Sequence, residues 1–147
     1  MLGGNDCKCD VKNWLITGLI VAVLALGLDM FFHHYCMMKV YEANMSLFRP
    51  MEQMMQLRWY GYAGYVAFGL LFTCIYSKGY DATKGKAGQG IRYGILMGLF
   101  YWGAGLLIAV PVMPWSKQLV IDWFAIGVAE FAILGFIVGM LYKPKMG

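Results

Sequence analysis

A chain of 147 residues that is 61% hydrophobic and only 14% charged cannot hide its apolar side chains inside one soluble core. Its net charge of +4 falls in short patches between long apolar runs, a distribution that fits membrane topology better than a nucleic-acid surface. Four runs, at 13–32, 59–77, 93–113 and 123–142, are each long enough to cross ~30 Å of hydrocarbon at ~1.5 Å per residue. The alternation of a barrel strand is absent, so the sequence predicts an all-α, polytopic membrane protein with four transmembrane helices in a single domain, 1–147.

Ahead of the first run stand Lys8 and Lys12, as they would in a secretory signal. No small-x-small cleavage site precedes Asp29, so this run is expected to stay as the first span. Cys7 and Cys9 supply only half of a zinc site, and an inert tail is the simpler reading. Cys36 and Cys74 have no evident disulfide partner across the membrane.

The longest segment outside the spans, 33–58, follows. Met38, Tyr41, Met45 and Phe48 recur at helical spacing and predict an amphipathic helix that Pro50 stops. A further turn from Met51 through Leu57 leads into the second run at Trp59, a residue suited to the headgroup boundary. His33, His34, Cys36, Met37 and Met38 form a soft donor set compatible with copper(I), supplemented by Met45, Met51, Met54 and Met55. Methionine is also a general gap-filler in this chain, which holds 12 of them.

The loop 78–92 is rich in glycine and lysine. Gly85-Lys86 has a phosphate-loop look, but Ala87 stands where a Ser or Thr is required, so that reading is discarded. Gly90, Gly94 and Gly98 then recur every four residues, and Gly135 and Gly139 repeat the spacing in the fourth run. Such ladders let backbones approach closely, either each other or a second protein. A weak internal repeat joins Pro50 and Arg58-Trp59-Tyr60 to Pro114 and Asp122-Trp123-Phe124 at equal spacing, as two duplicated helical hairpins would.

Lys8, Lys12, Lys78, Lys84, Lys86, Arg92, Lys143 and Lys145 lie on the side shared by both termini, against Lys39, Arg49, Arg58 and Lys117 opposite. The excess places both termini in the cytoplasm.

Ionisable residues within a bilayer are costly and carry a functional hypothesis. Glu130 is about 10 Å deep at ~1.5 Å per residue, where it must be neutral or paired. Asp29 lies one helical turn before His33. With Asp122 they form a candidate polar cluster in the outer half of the membrane, able to bind a cation, relay protons or line a pore. Structurally, the same residues could tie the first span to the outer segment, with Glu130 hydrogen-bonded to a tyrosine or a carbonyl.

Phe48-Arg49-Pro50, Asp29 with His33, Lys78-Gly79-Tyr80 and Gly90-Ile91-Arg92-Tyr93-Gly94 give most of 13–142 a resemblance to a family of small four-span bacterial inner-membrane proteins of uncharacterised function. The resemblance implies the fold and the topology and transfers no catalytic residue.

No catalytic motif is present: there is no nucleophile elbow, His-Glu-x-x-His helix or dinucleotide fingerprint. The chain is therefore expected to be a non-catalytic accessory subunit of a larger membrane complex, such as an energy-transducing one, with lipid and other subunits, or its own copies, as partners. A homo-oligomeric channel or transporter for a small cation or solute, and a copper-handling protein on the periplasmic side, are the alternatives. No cofactor is required, although copper, a pigment, a quinone or a bound lipid would each be compatible with this composition.

Overall fold

A computed structural model describes residues 11–143; Cys7, Cys9, Lys8 and Lys145 lie outside the described residues. All regular structure within them is helical. The first apolar run lies inside α1, Val11–Tyr35. This helix ends where the Cys36 and Met37 amides both turn back to the Phe32 carbonyl, at 2.8 and 3.2 Å. The expected amphipathic helix is cut short: α2 spans only Met38–Ala43, followed by one 3₁₀ turn, Met45–Leu47. Of its predicted apolar face, Tyr41 and Phe48 turn inward while Met38 and Met45 stay exposed.

Pro50 stops that segment as expected, and α3 then runs unbroken over Met51–Gly79. A tight turn follows, in which the Thr83 hydroxyl and amide, with Lys84, hold the Asp81 carboxyl down at about 2. α4 covers Lys86–Gly98 and continues through a π-helical stretch, Leu99–Ala104, into α5, Gly105–Ala109. The predicted third run overshoots this end, because Pro111 has no N–H to extend the helical ladder. α6, Lys117–Leu141, begins six residues ahead of the predicted start, since the Ser116 hydroxyl caps it by accepting the Leu119 amide at 3.2 Å.

The helices pack as two antiparallel pairs, α1 with α3 and α4 with α6, joined chiefly through α1 and α6. In the second pair the two glycine ladders face each other. A Cβ on Gly139 would stand 2.5 Å from the Lys86 carbonyl oxygen, so only glycine permits this approach. Gly18 and Gly69 do the same for α1 and α3. A side chain then pins the first pair, as Trp14 donates its indole N–H to the Leu70 carbonyl at 2.8 Å, and another ties the pairs together, as the Tyr93 hydroxyl of α4 donates to the Phe72 carbonyl of α3 at 2.5 Å. The core between the pairs is built from Val21, Ala25, Phe72, Tyr76, Phe131, Leu134, Val138 and Tyr142. Asn13 is hydrogen-bonded to the Lys143 carbonyl, which brings both ends of the described chain to one end of the bundle.

Three helical rods are long and apolar enough to cross a membrane: Val11–Tyr35, Lys86–Ala109 and Lys117–Leu141. Their outward faces are apolar too, with Leu107 and Ile108 77% and 76% exposed, as contact with lipid requires. The run 59–77 lies in α3 and is less apolar than these three, since Tyr60, Gly61, Tyr62, Gly64 and Tyr65 dilute its first half.

Candidate functional site

At the end of the bundle away from Asn13 and Lys143, α1, α3 and α6 part to leave a cavity of about 460 Å³. Small residues make the room: Ala25 on α1, and Gly61 and Gly64 on α3. Asp29 and His33 line it from α1, Tyr65 and Phe68 from α3, Tyr101 and Trp102 from the π-helical stretch, and Trp123, Glu130, Phe131 and Leu134 from α6. Tyr101 and Phe131 are stacked at 5.7 Å, and the Trp102 and Trp123 rings lie 6.3 Å apart.

One wall is a continuous hydrogen-bonded chain. The i, i+4 spacing brings His33 Nε2 to 3.0 Å from Asp29 Oδ1, and the Tyr65 hydroxyl donates to Asp29 Oδ2. His33 Nδ1 meets the Tyr41 hydroxyl, whose oxygen accepts the Trp123 indole N–H at 2.9 Å. Burial pushes the Tyr41 hydroxyl above its ordinary range despite the Trp123 donor, so it keeps its proton at neutral pH and can donate to His33 Nδ1. A neutral His33 then carries its own proton on Nε2, facing the carboxylate, and each of these donors has an acceptor.

Glu130 contrasts with this order. It is only 7% exposed, and its Oε1 has no hydrogen-bond partner. The tyrosine or carbonyl expected to satisfy Oε1 is missing; of the two tyrosines that line the cavity with it, Tyr65 gives its hydroxyl to Asp29 instead. A buried carboxyl oxygen without a partner is costly in a folded protein, and Glu130 is one of the residues that line the cavity.

Of the predicted polar cluster, the structure brings together Asp29, His33 and Glu130. Asp122 does not join them: it accepts from Gln118 Nε2 at 2.8 Å, off the cavity. Seven residues are almost two full helical turns, so Trp123 shares the face of Glu130, and Asp122 is rotated by about 100° from it. The copper donor set is not assembled either. His33 is committed to Asp29 and Tyr41, His34 and Cys36 are exposed, Met37 is buried and Met38 is exposed. Consecutive helical residues point about 100° apart, which separates His33 from His34. Among the described residues, no three His, Cys, Asp or Glu side chains are grouped to hold a metal ion.

The aromatic lining went unread in the sequence, and Tyr41 was read only as part of an apolar helix face, not as a hydrogen-bond partner of His33. Tyr65 and Phe68 stand at helical spacing beside Gly61 and Gly64, a signal that was available; Tyr101, itself 59% exposed, and Trp102 reach the lining from the π-helical stretch, which carries no comparable signal. No family model, curated protein or solved structure matches this chain. The chemistry of the cavity is therefore the guide to function.

Proposed function

We propose that this chain is a four-span protein of a bacterial inner membrane, with both termini cytoplasmic, that takes a small cationic solute into its cavity and carries it. The observation behind this reading is Glu130: a carboxyl more than nine-tenths buried, unpartnered at Oε1, lining a 460 Å³ space that it shares with Asp29. A solute bearing positive charge, held in the cavity, would offset the buried carboxyl groups of its wall. The route that the sequence suggests between subunits would then lie inside one chain.

Several features support the topology. α3 packs antiparallel along α1, with Tyr65 at Asp29 and, beyond its other end, the Tyr80 ring against Tyr142, so it extends along the same length as its neighbours. A helix bundled in this way with three spanning rods would cross with them. Lys12, Lys78, Lys84, Lys86, Arg92 and Lys143 belong to the end where Asn13 meets Lys143, which favours the cytoplasm for that end. The two like-packed antiparallel pairs, each introduced by a glycine contact, fit a duplicated hairpin.

Protein reconstituted into liposomes should take up a cationic solute along its gradient, and Glu130→Gln should slow uptake at least tenfold. Uptake no different from that of empty liposomes, across a panel of inorganic and organic cations, would reject the reading.

The accessory-subunit reading now rests on a different surface. The glycine ladders are consumed between α4 and α6, so they offer nothing to a partner. Every residue of α3 from Met51 to Tyr60 is exposed, however, and Met51, Met55, Trp59 and Tyr60 lie among them. We propose this first third of α3 as the place where another subunit would pack. Recovery from native membranes with stoichiometric co-migrating subunits would favour this second role.

A further inference from the structure

The composition of the cavity wall narrows the solute further, an inference that rests on the carrier reading above. Six aromatic rings surround the space: Tyr65, Phe68, Tyr101, Trp102, Trp123 and Phe131. Besides its tyrosines, the lining has Asp29, His33 and Glu130 as ionisable groups, and among the described residues it has neither lysine nor arginine. We propose that the ligand is an organic ammonium ion, its cationic nitrogen paired with Glu130 and its alkyl groups held against the aromatic rings.

Three arguments select this class over its competitors. An inorganic divalent cation needs about six oxygen ligands at fixed short distances. Here Asp29 already accepts from His33 and Tyr65, which leaves Glu130 as the free carboxyl, and the remaining walls are largely carbon. A purely apolar guest would fill the space but leave Glu130 Oε1 as costly as before. An alkylammonium ion meets both halves of the site: its charge answers the carboxylate, and its polarised C–H surface lies against the negative faces of the rings, the attraction by which aromatic cages hold quaternary ammonium groups. The volume is also right, since pockets of roughly 300–1,000 Å³ take organic ligands and this one has 460 Å³.

Two sources share this chemistry: a free amine and the ammonium headgroup of a membrane lipid. The test uses the full chain in phosphatidylglycerol nanodiscs, which contain no ammonium lipid, and follows the emission of its tryptophans, two of which line the cavity. Benzyltrimethylammonium should change the emission saturably. Neopentylbenzene, its neutral carbon isostere, should bind about tenfold more weakly or worse. The Glu130→Gln protein sets the baseline for partitioning and should bind the cation at least tenfold more weakly than the parent.

Equal binding of both probes, or equal binding by parent and Glu130→Gln protein, would overturn the ammonium assignment. A saturable response to sodium or magnesium without one to benzyltrimethylammonium would also overturn it, yet would leave the carrier reading standing. Failure of every cation in both binding and uptake would remove the two together. Added phosphatidylethanolamine that competes with the probe would support a headgroup as the natural occupant, and unchanged probe affinity would support a free amine.

Discussion

His33 is held from both ring nitrogens, and this double tether fixes what it can do. With Tyr41 on Nδ1 and Asp29 on Nε2, the imidazole joins the segment after α1 to the cavity wall through Trp123. Tyr41→Phe removes the donor to Nδ1 and the acceptor for the Trp123 N–H together. We expect a loss of about 1–3 kcal/mol, the cost of leaving such groups unsatisfied, seen as a lower midpoint of thermal unfolding in detergent. His33→Gln, which can fill only part of this chain, should cost a similar amount. If neither variant moved the midpoint, the hydrogen-bonded wall would not be contributing to the fold. Glu130 should behave in the opposite way. Its Oε1 has no partner to lose, so Glu130→Leu should be at least as stable as the parent, and Glu130→Gln should assemble normally. Both should lose solute uptake. A residue that weakens the fold while serving the ligand is the usual sign of a binding site. Much of this was legible: Asp29 and His33 by their one-turn spacing, Glu130 by its depth. Its isolation was not, because where the Tyr65 hydroxyl goes depends on how α3 lies against α1.

At the scale of the elements, glycine decides which helices can meet. A Cβ on Gly94 would run into the backbone of Phe131 and lie 3.0 Å from the Ala132 Cα, and neither can retreat without moving α6. Gly94→Ala should therefore destabilise the protein by about 1–3 kcal/mol through forced separation of the helices. Gly105, on the same rod, has nothing within 4 Å of its Cβ position. Gly105→Ala should be neutral or stabilising by about 0.5–1 kcal/mol, since alanine loses less backbone entropy in a helix. Unfolding midpoints measured side by side in one detergent decide the pair, and equal effects would mean that the ladder is not a close contact. The four-residue repeat made this interface legible but left its partner open. The α1–α3 contact was not legible, because Gly18 and Gly69 stand singly and leave no period. Nor was the π-helical stretch, Leu99–Ala104, which carries Tyr101 and Trp102 of the cavity lining.

For the whole molecule the decisive quantities are the number of crossings, which fixes the side of the α3–α4 turn, and their direction, which fixes the solution that the cavity faces. α3 is the weakest of the four candidates by hydropathy, diluted by tyrosine and glycine, and some of that dilution is the cavity itself: Gly61, Gly64 and Tyr65 line it. A span that builds a polar site sacrifices apolarity for function, so hydropathy alone undervalues it. The exposed Cys36 gives a direct test. With both termini cytoplasmic, Cys36 lies outside, and a membrane-impermeant maleimide added to intact spheroplasts should label the parent and not Cys36→Ser. In a Cys36→Ser background, Thr83→Cys places a thiol in the α3–α4 turn, which four crossings put in the cytoplasm. It should be labelled only after permeabilisation, judged against the same background without the added thiol. If α3 failed to cross, Thr83→Cys would fall on the same side as Cys36 and be labelled in intact spheroplasts. Labelling of the native Cys36 only after permeabilisation would instead reverse the whole bundle, and the cavity would then open towards the cytoplasm and draw its solute from there.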